Sequence, residues 1–339
     1  MRYPLTLFAY FLVLVLPSLC VRPILENTYP NYWQKRWELE QTYASGALAY
    51  SIGTSHATAI YSNTFDEELG LSIYHSRTNG GDLFELIYEM KSIKQHNPRA
   101  RLFIVCISPF SFHYDNNAYV KDGSRIRREQ RVKVYSEFDN FTTLINRDPS
   151  NYLLALFYPV ITPDHLEKLT WFHKTPDKRE AETPLENEAC EPGSKSIELS
   201  EHGKKRTRNV FRDNLIPNMS ENAGYDIPER SGRMLKEFVQ GNPDDLFIFY
   251  TPPYWKEYRE GVPDDVRTRL AEVMQGIVRH GNAMYHDYSA LRPISETPCY
   301  FVNADHLNSD GAEAFSKIFV ADLLADRRIK RFLASLRSP

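Results

Sequence analysis

Residues 47–57 read Ala-Leu-Ala-Tyr-Ser-Ile-Gly-Thr-Ser-His-Ala. Ala47 to Ile52 is short, mostly apolar and stopped by Gly53, which is the signature of a buried strand. With a helix expected to start at Ser55, the segment reads as a strand-to-helix junction in which Gly53 lets the backbone turn tightly. The same alternation recurs outward from it. Leu83 to Lys94 carries Leu83, Leu86, Ile87 and Met90 at helical spacing, and Leu102 to Ile107 (Leu-Phe-Ile-Val-Cys-Ile) is a buried strand. Arg233 to Val239 reads as a short helix, and Leu246 to Tyr250 as a strand stopped by Pro252 and Pro253. Pro263 opens a helix with Val266, Leu270, Val273 and Ile277 on one face, and Ala283 to Tyr288 follows as a strand. Asn308, Ser309 and Asp310 offer caps to a last helix that buries Ala312, Phe315, Phe319 and Leu323. Short apolar strands alternating with amphipathic helices predict a three-layer α/β/α fold around a mainly parallel sheet. Functional residues then belong at the carboxyl ends of the strands.

A length of 339 residues suits one such domain with an insertion as well as two average domains. Hydrophobic residues make up 42% and charged residues 25%, which argues against an intrinsically disordered chain. A net charge of −3 leaves no basic surplus for nucleic acid. The N-terminus has Arg2 followed by a nearly unbroken apolar run from Leu5 to Leu16. Residues 1–21 are therefore expected to be a signal peptide or a signal anchor. That places the protein in a periplasm, a cell envelope or the extracellular space, with N-terminal membrane contact if the leader stays on. Pro17 and Leu19 stand where a lipidated Cys20 would be preceded by small residues, which speaks against a lipoprotein. Residues 22–339 are expected to form the single α/β domain. Its segment from Lys174 to Arg208, dense in charge and holding Pro176, Pro184 and Pro192, reads as a polar insertion. The four cysteines show no CxxC or zinc spacing; Cys106 reads as a core residue, and a Cys190–Cys299 disulfide stays open.

Two short motifs carry the chemistry. Ser55 opens a helix, where free backbone N–H groups favour a developing oxyanion; read blandly, it only caps that helix. His306 follows a strand and precedes a helix in Tyr300-Phe301-Val302-Asn303-Ala304-Asp305-His306-Leu307-Asn308, where a general base for Ser55 would sit; read blandly, it is a surface or capping histidine. No GxxxxGK[ST] occurs and no GxGxxG opens a helix, so nucleotide binding has no motif behind it.

Taken together, serine first and histidine last, the motifs resemble the SGNH, or GDSL-like, hydrolase superfamily. Gly53-Thr54-Ser55 matches the family's Gly-Asp-Ser block, and Asn303-Ala304-Asp305-His306 matches its Asp-x-x-His block in position. The Gly-x-Ser-His variant and the His-Leu-Asn-x-x-Gly-Ala tail look most like the envelope branch, which includes proteins of alginate acetylation and teichoic-acid D-alanylation. So do Ile107 to Phe112 and Phe247 to Tyr254. The resemblance implies a flavodoxin-like sheet and a serine-dependent esterase or O-acyltransferase acting on an acylated glycan or small ester. It also admits envelope protein partners, and it implies no metal and no organic cofactor. Ser55 would be the nucleophile and His306 the base.

The family's aspartate three residues before the histidine is Asn303 here. In a serine protease the same change costs about 10⁴ in turnover. Asp305 is the nearest carboxylate, although neighbouring side chains usually point apart. A Ser–His dyad, a triad that recruits Asp305 and a weak catalyst thus remain alternatives. The family's oxyanion hole maps onto the Ser55 N–H and onto Gly80 or Gly81. Its third block is missing, and Ser108 stands there as a hydroxyl donor or a plain turn residue. His56 faces the cleft, packs on the sheet or shapes access, while Tyr254 and Trp255 are expected to wall the substrate cleft. His113, His280 and His286 read as structural. The competing function is a non-catalytic envelope binding or assembly protein that keeps the fold, favoured by Asn303 and the missing block and opposed by Ser55, His56 and His306.

Overall fold

The computed structural model describes residues 41–43, 45–78, 81–109, 111–112 and 227–337. The leader, Cys20, Gly80, His113, Cys190 and the insertion at 174–208 lie outside the described residues. Apart from Gln41, the described residues belong to one compact unit built from Thr42–Asp115 and Glu182–Pro339.

The element order begins β1 (Ala49–Thr54), a 3₁₀ turn (Ser55–Ala59), α1 (Ser62–Leu69), β2 (Ile73–Thr78), α2 (Leu83–His96) and β3 (Leu102–Cys106). It resumes with α3 (Ile227–Gln240), β4 (Leu246–Thr251), α4 (Lys256–Gly261), α5 (Asp264–Val278), β5 (Ala283–Asp287) and α6 (Arg292–Ser295). A 3₁₀ turn (Pro298–Tyr300), β6 (Phe301–Asn303), β7 (His306–Leu307), α7 (Ser309–Ala325) and α8 (Arg327–Arg337) complete it.

The central sheet runs β2-β1-β3-β4-β5 with every pair parallel, in registers such as Ser51 opposite Ile104 and Phe103 opposite Phe247. This is the flavodoxin-like order, and its direction reverses between β1 and β3. Residues of β1, β3 and β4 are buried throughout, because helices cover both faces of the sheet. On one face Ala49, Ile104, Cys106, Ile248 and Tyr250 pack with Phe65 of α1, with Phe315, Phe319 and Leu323 of α7, and with Ile329 and Leu333 of α8. On the other, Tyr50, Phe103, Phe247 and Phe249 form a row of stacked rings, which Phe238 of α3 meets edge-on at 5.7 Å. Helices α2, α3 and α5 pack in sequence along that face. The fold is the expected three-layer α/β/α sandwich.

Several local expectations need correction. β1 runs two residues past Ile52, and Ser55 opens a five-residue 3₁₀ turn where a helix was expected. The helix expected over Arg233 to Val239 is the C-terminal half of the longer α3. In α5 the buried row is Val266, Leu270, Met274 and Ile277, so Met274 takes the place expected for Val273. Gly53 does not have the left-handed backbone of a tight turn. It is needed because an added Cβ would lie 2.6 Å from the Cβ of Ala57 and 2.6 Å from the Cβ of Cys106.

Cys106 is free and buried, as expected, and burial pushes its thiol up to about 12. Cys299 is disulfide-bonded.

Candidate active site

The site assembles where the strand order reverses, at the carboxyl ends of β1 and β3. β1 delivers Ser55 and His56 directly, and β3 delivers Ser108 two residues beyond its last residue. The β6–β7 hairpin packs against the 3₁₀ turn that carries Ser55. Asn303 pairs with His306 across that hairpin, leaving Ala304 and Asp305 as its turn.

Asn308 holds the hairpin in place. Its side chain accepts from the Gly311 N–H at 2.9 Å, capping α7, and donates to the Cys299 carbonyl at 2.5 Å. Its own N–H donates to the Tyr300 carbonyl at 2.9 Å. Gly311 is fixed by the same contact, since a Cβ there would lie 2.3 Å from the Tyr300 carbonyl oxygen. The His-Leu-Asn-x-x-Gly pattern is thus a clamp that sets where His306 emerges.

Asp305 is the centre of the site. His306 Nδ1 lies 3.0 Å from Asp305 Oδ1, and His56 Nε2 lies 3.2 Å from Asp305 Oδ2. His56 Nδ1 lies 2.5 Å from Ser108 Oγ, and the two imidazole centroids are 4.7 Å apart. His56 is 2% exposed and Ser108 0%, whereas the side chains of Asp305 and His306 are 17% and 23% exposed. The network therefore runs from a dry inner end to a solvent-facing outer end.

Electrostatics assigns the protons. Burial alone would raise the Asp305 carboxyl, but hydrogen bonds from His306 and His56 hold it well below the usual carboxylate range. An ionised carboxylate only accepts, so both ring nitrogens facing it carry hydrogen. Burial pushes His56 below its ordinary value, against the pull of the Asp305 hydrogen bond. His56 is then neutral, and its Nδ1 accepts a hydrogen bond from the Ser108 hydroxyl. His306 gives its Nδ1–H to Asp305, and Nε2 is the atom a general base would use.

Ser55 is the first residue of its 3₁₀ turn and partly exposed; its carbonyl accepts from Thr58 Oγ1 at 2.8 Å. Among the described residues its hydroxyl makes no hydrogen bond. Asp305 does reach His306 despite adjacency, because it occupies the hairpin turn and not a strand position. The Ser108 hydroxyl is engaged with His56 inside the protein and is not offered to an oxyanion.

Tyr254 is fully buried, with its ring edge-on to His56 at 5.3 Å, so it backs His56 and does not wall an open cleft. Trp255 is half-buried. Its backbone N–H donates to the Ala304 carbonyl at 3.0 Å and its ring meets Phe301 at 6.0 Å, which braces the hairpin. Gly81 is buried just before Asp82, whose capping box with Glu85 starts α2.

The bridge from His56 to Asp305 was not foreseen. The two residues lie 249 positions apart, and nothing local to either announces the pairing. Among the described residues, His56, Asp305 and His306 also present ligand atoms within 4.8 Å of one another, close enough to hold a metal ion. The hydrogen bonds just described account for that closeness without one. No protein-family model and no curated protein matches the chain.

Proposed function

We propose that the protein is a serine-dependent acyl-ester hydrolase or O-acyltransferase of SGNH type, acting outside the cytoplasmic membrane on an acylated glycan of the envelope or extracellular space. One observation carries the reading: an ionised carboxylate, Asp305, accepts from His306 Nδ1 at 3.0 Å, in a hairpin packed against the turn that begins with Ser55. That hydrogen bond orients the His306 ring and fixes which of its nitrogens faces the carboxylate. Ser55 Oγ attacks the ester carbonyl carbon while its proton passes to His306 Nε2. The tetrahedral intermediate then expels the alcohol, which takes that proton back. The acyl-enzyme passes its acyl group to water or to a sugar hydroxyl by the same steps in reverse order. The Ser55 N–H and that of Gly80 or Gly81 are the proposed oxyanion donors. The glycan and the envelope location rest on the motif resemblance and the N-terminal leader; the disulfide at Cys299 fits an oxidising compartment.

A second nucleophile has a specific observation behind it, because Ser108, His56 and Asp305 form a closed serine–histidine–carboxylate chain. Complete burial of Ser108 withholds it from any polymeric substrate, and Ser55 is the better nucleophile. The deciding experiment treats the protein with a fluorophosphonate probe and p-nitrophenyl acetate, beside Ser55→Ala, Ser108→Ala and His306→Ala, and maps the labelled peptide. The expected result is a label on Ser55, with turnover lost in Ser55→Ala and His306→Ala. A label on Ser108 would move the nucleophile. Folded protein with no label and no turnover would favour a non-catalytic binding or assembly protein.

A further inference from the structure

Resting on the Ser55–His306 reading, we propose that His56 is a positioning residue for that reaction: it grips the second oxygen of Asp305 and so fixes the tautomer of His306. The argument is geometric. Asp305 lies in the turn of a hairpin whose second strand is only His306–Leu307, and such a turn does little by itself to hold a carboxylate against the neighbouring ring. Both oxygens of Asp305 are nevertheless taken by imidazole nitrogens, at 3.0 and 3.2 Å.

The inner imidazole is the better anchored of the two. His56 directly follows β1 and its next neighbour, Ser55, and its far nitrogen meets Ser108, just past β3, at 2.5 Å. The Tyr254 ring closes one side of it at 5.3 Å. The two central strands thereby reach the hairpin through one chain, Ser108–His56–Asp305–His306. In a triad whose carboxylate lay three residues before the histidine, strand geometry would do this work; here that position is Asn303, and His56 supplies the restraint from behind.

The test compares His56→Leu, which removes both hydrogen bonds, with His56→Gln, whose amide still donates to Asp305. Turnover of p-nitrophenyl acetate is measured together with the ¹⁵N signature of the His306 ring. His56→Leu is expected to lower kcat by about 10- to 100-fold, the usual effect of losing a group that orients a functional residue, with KM little changed. Its His306 ring is expected to shift from the Nδ1–H form towards a mixture with Nε2–H. His56→Gln should recover most of both. A folded His56→Leu protein with wild-type kcat and an unchanged His306 ring signature would overturn the proposal. The ring signature needs no turnover, so an inactive wild type would sink the catalytic reading and still leave this inference open to test. If His56→Leu does not fold, Ser108→Ala loosens the same chain, and a wholly unaltered His306 ring there would likewise overturn it.

Discussion

Replacing Gly53 with alanine puts a methyl carbon 2.6 Å from the Cβ of Ala57 and 2.6 Å from that of Cys106. Carbon atoms pack at about 3.5–4.0 Å, so each contact must open by roughly 1 Å. Neither neighbour can turn away, because a Cβ moves only with its backbone. Cys106 ends β3, a strand held on both sides by β1 and β4. Ala57 lies in the short 3₁₀ turn, which packs against β7 and α7 but is not a strand of the central sheet. The turn yields first, and it carries Ser55 and His56 with it.

Overpacking of this kind costs about 1–3 kcal/mol of stability. A displacement of about 1 Å at a reacting group costs on the order of 10² in rate. Gly53→Ala should therefore fold, with a lower denaturation midpoint in urea and a fluorophosphonate labelling rate reduced about 100-fold. Adding Ala57→Gly removes one of the two contacts and should restore part of both. A Gly53→Ala protein with wild-type stability and labelling would refute the claim that close packing, and not a turn conformation, requires glycine here.

Other expectations follow from the same geometry. Asp305→Asn offers one acceptor where two N–H groups need one each, so a ring must change tautomer; turnover should fall by about 10² to 10⁴, the upper figure applying if His306 flips, and steady-state kinetics checks it. The depressed Asp305 carboxyl stabilises the fold above its unfolded value of about 4, and that contribution is lost as pH falls further towards its folded value. Below about pH 4 the wild-type urea midpoint should drop more steeply than that of Asp305→Asn, and parallel curves would count against an ionised Asp305. Asn308→Ala removes a helix cap and the tie to Cys299, which should cost about 1–2 kcal/mol and lower kcat more than it alters KM, read by urea melts and kinetics. Added Zn²⁺ should inhibit by taking ligand atoms from His56, Asp305 and His306, with full recovery on chelation; inhibition that survives in Asp305→Asn would place the ion elsewhere.

The buried strands and the longer helices were legible because burial on both faces writes itself as continuous apolar runs, as in Leu102–Cys106 and Leu246–Thr251. β2 was not. Its sequence, Ile-Tyr-His-Ser-Arg-Thr, is mostly polar, in keeping with its place at the edge of the sheet among the described residues. The β6–β7 hairpin was also invisible, since strands of three and two residues are too short to show a period. At the site, Ser55 and His306 stood out from their place at strand ends, and the structure packs the short strand of His306 against the turn that begins with Ser55. Ser108 was recognised as a strand-end residue, but its partner was not, because hydrogen bonding across the sheet leaves no local mark. Tyr254 illustrates the reverse error: an aromatic after a Pro-Pro break suits a cleft wall and a buried support equally, and only its burial decides.

Asn303 is the residue that weighs most against catalysis, and the hairpin changes what its presence means. An asparagine facing the histidine directly across a ladder would deprive a triad of its carboxylate only if nothing else filled that place. Here the turn moves a carboxylate two residues along the chain, onto the Nδ1 side of His306, and two imidazoles keep it ionised. A carboxylate held at the edge of the interior by two histidines, one of them deeply buried, is the arrangement the proposed acyl chemistry calls for. Two such hydrogen bonds to one charge are worth having where an imidazolium must form and be neutralised again, as it is each time a serine attacks an ester.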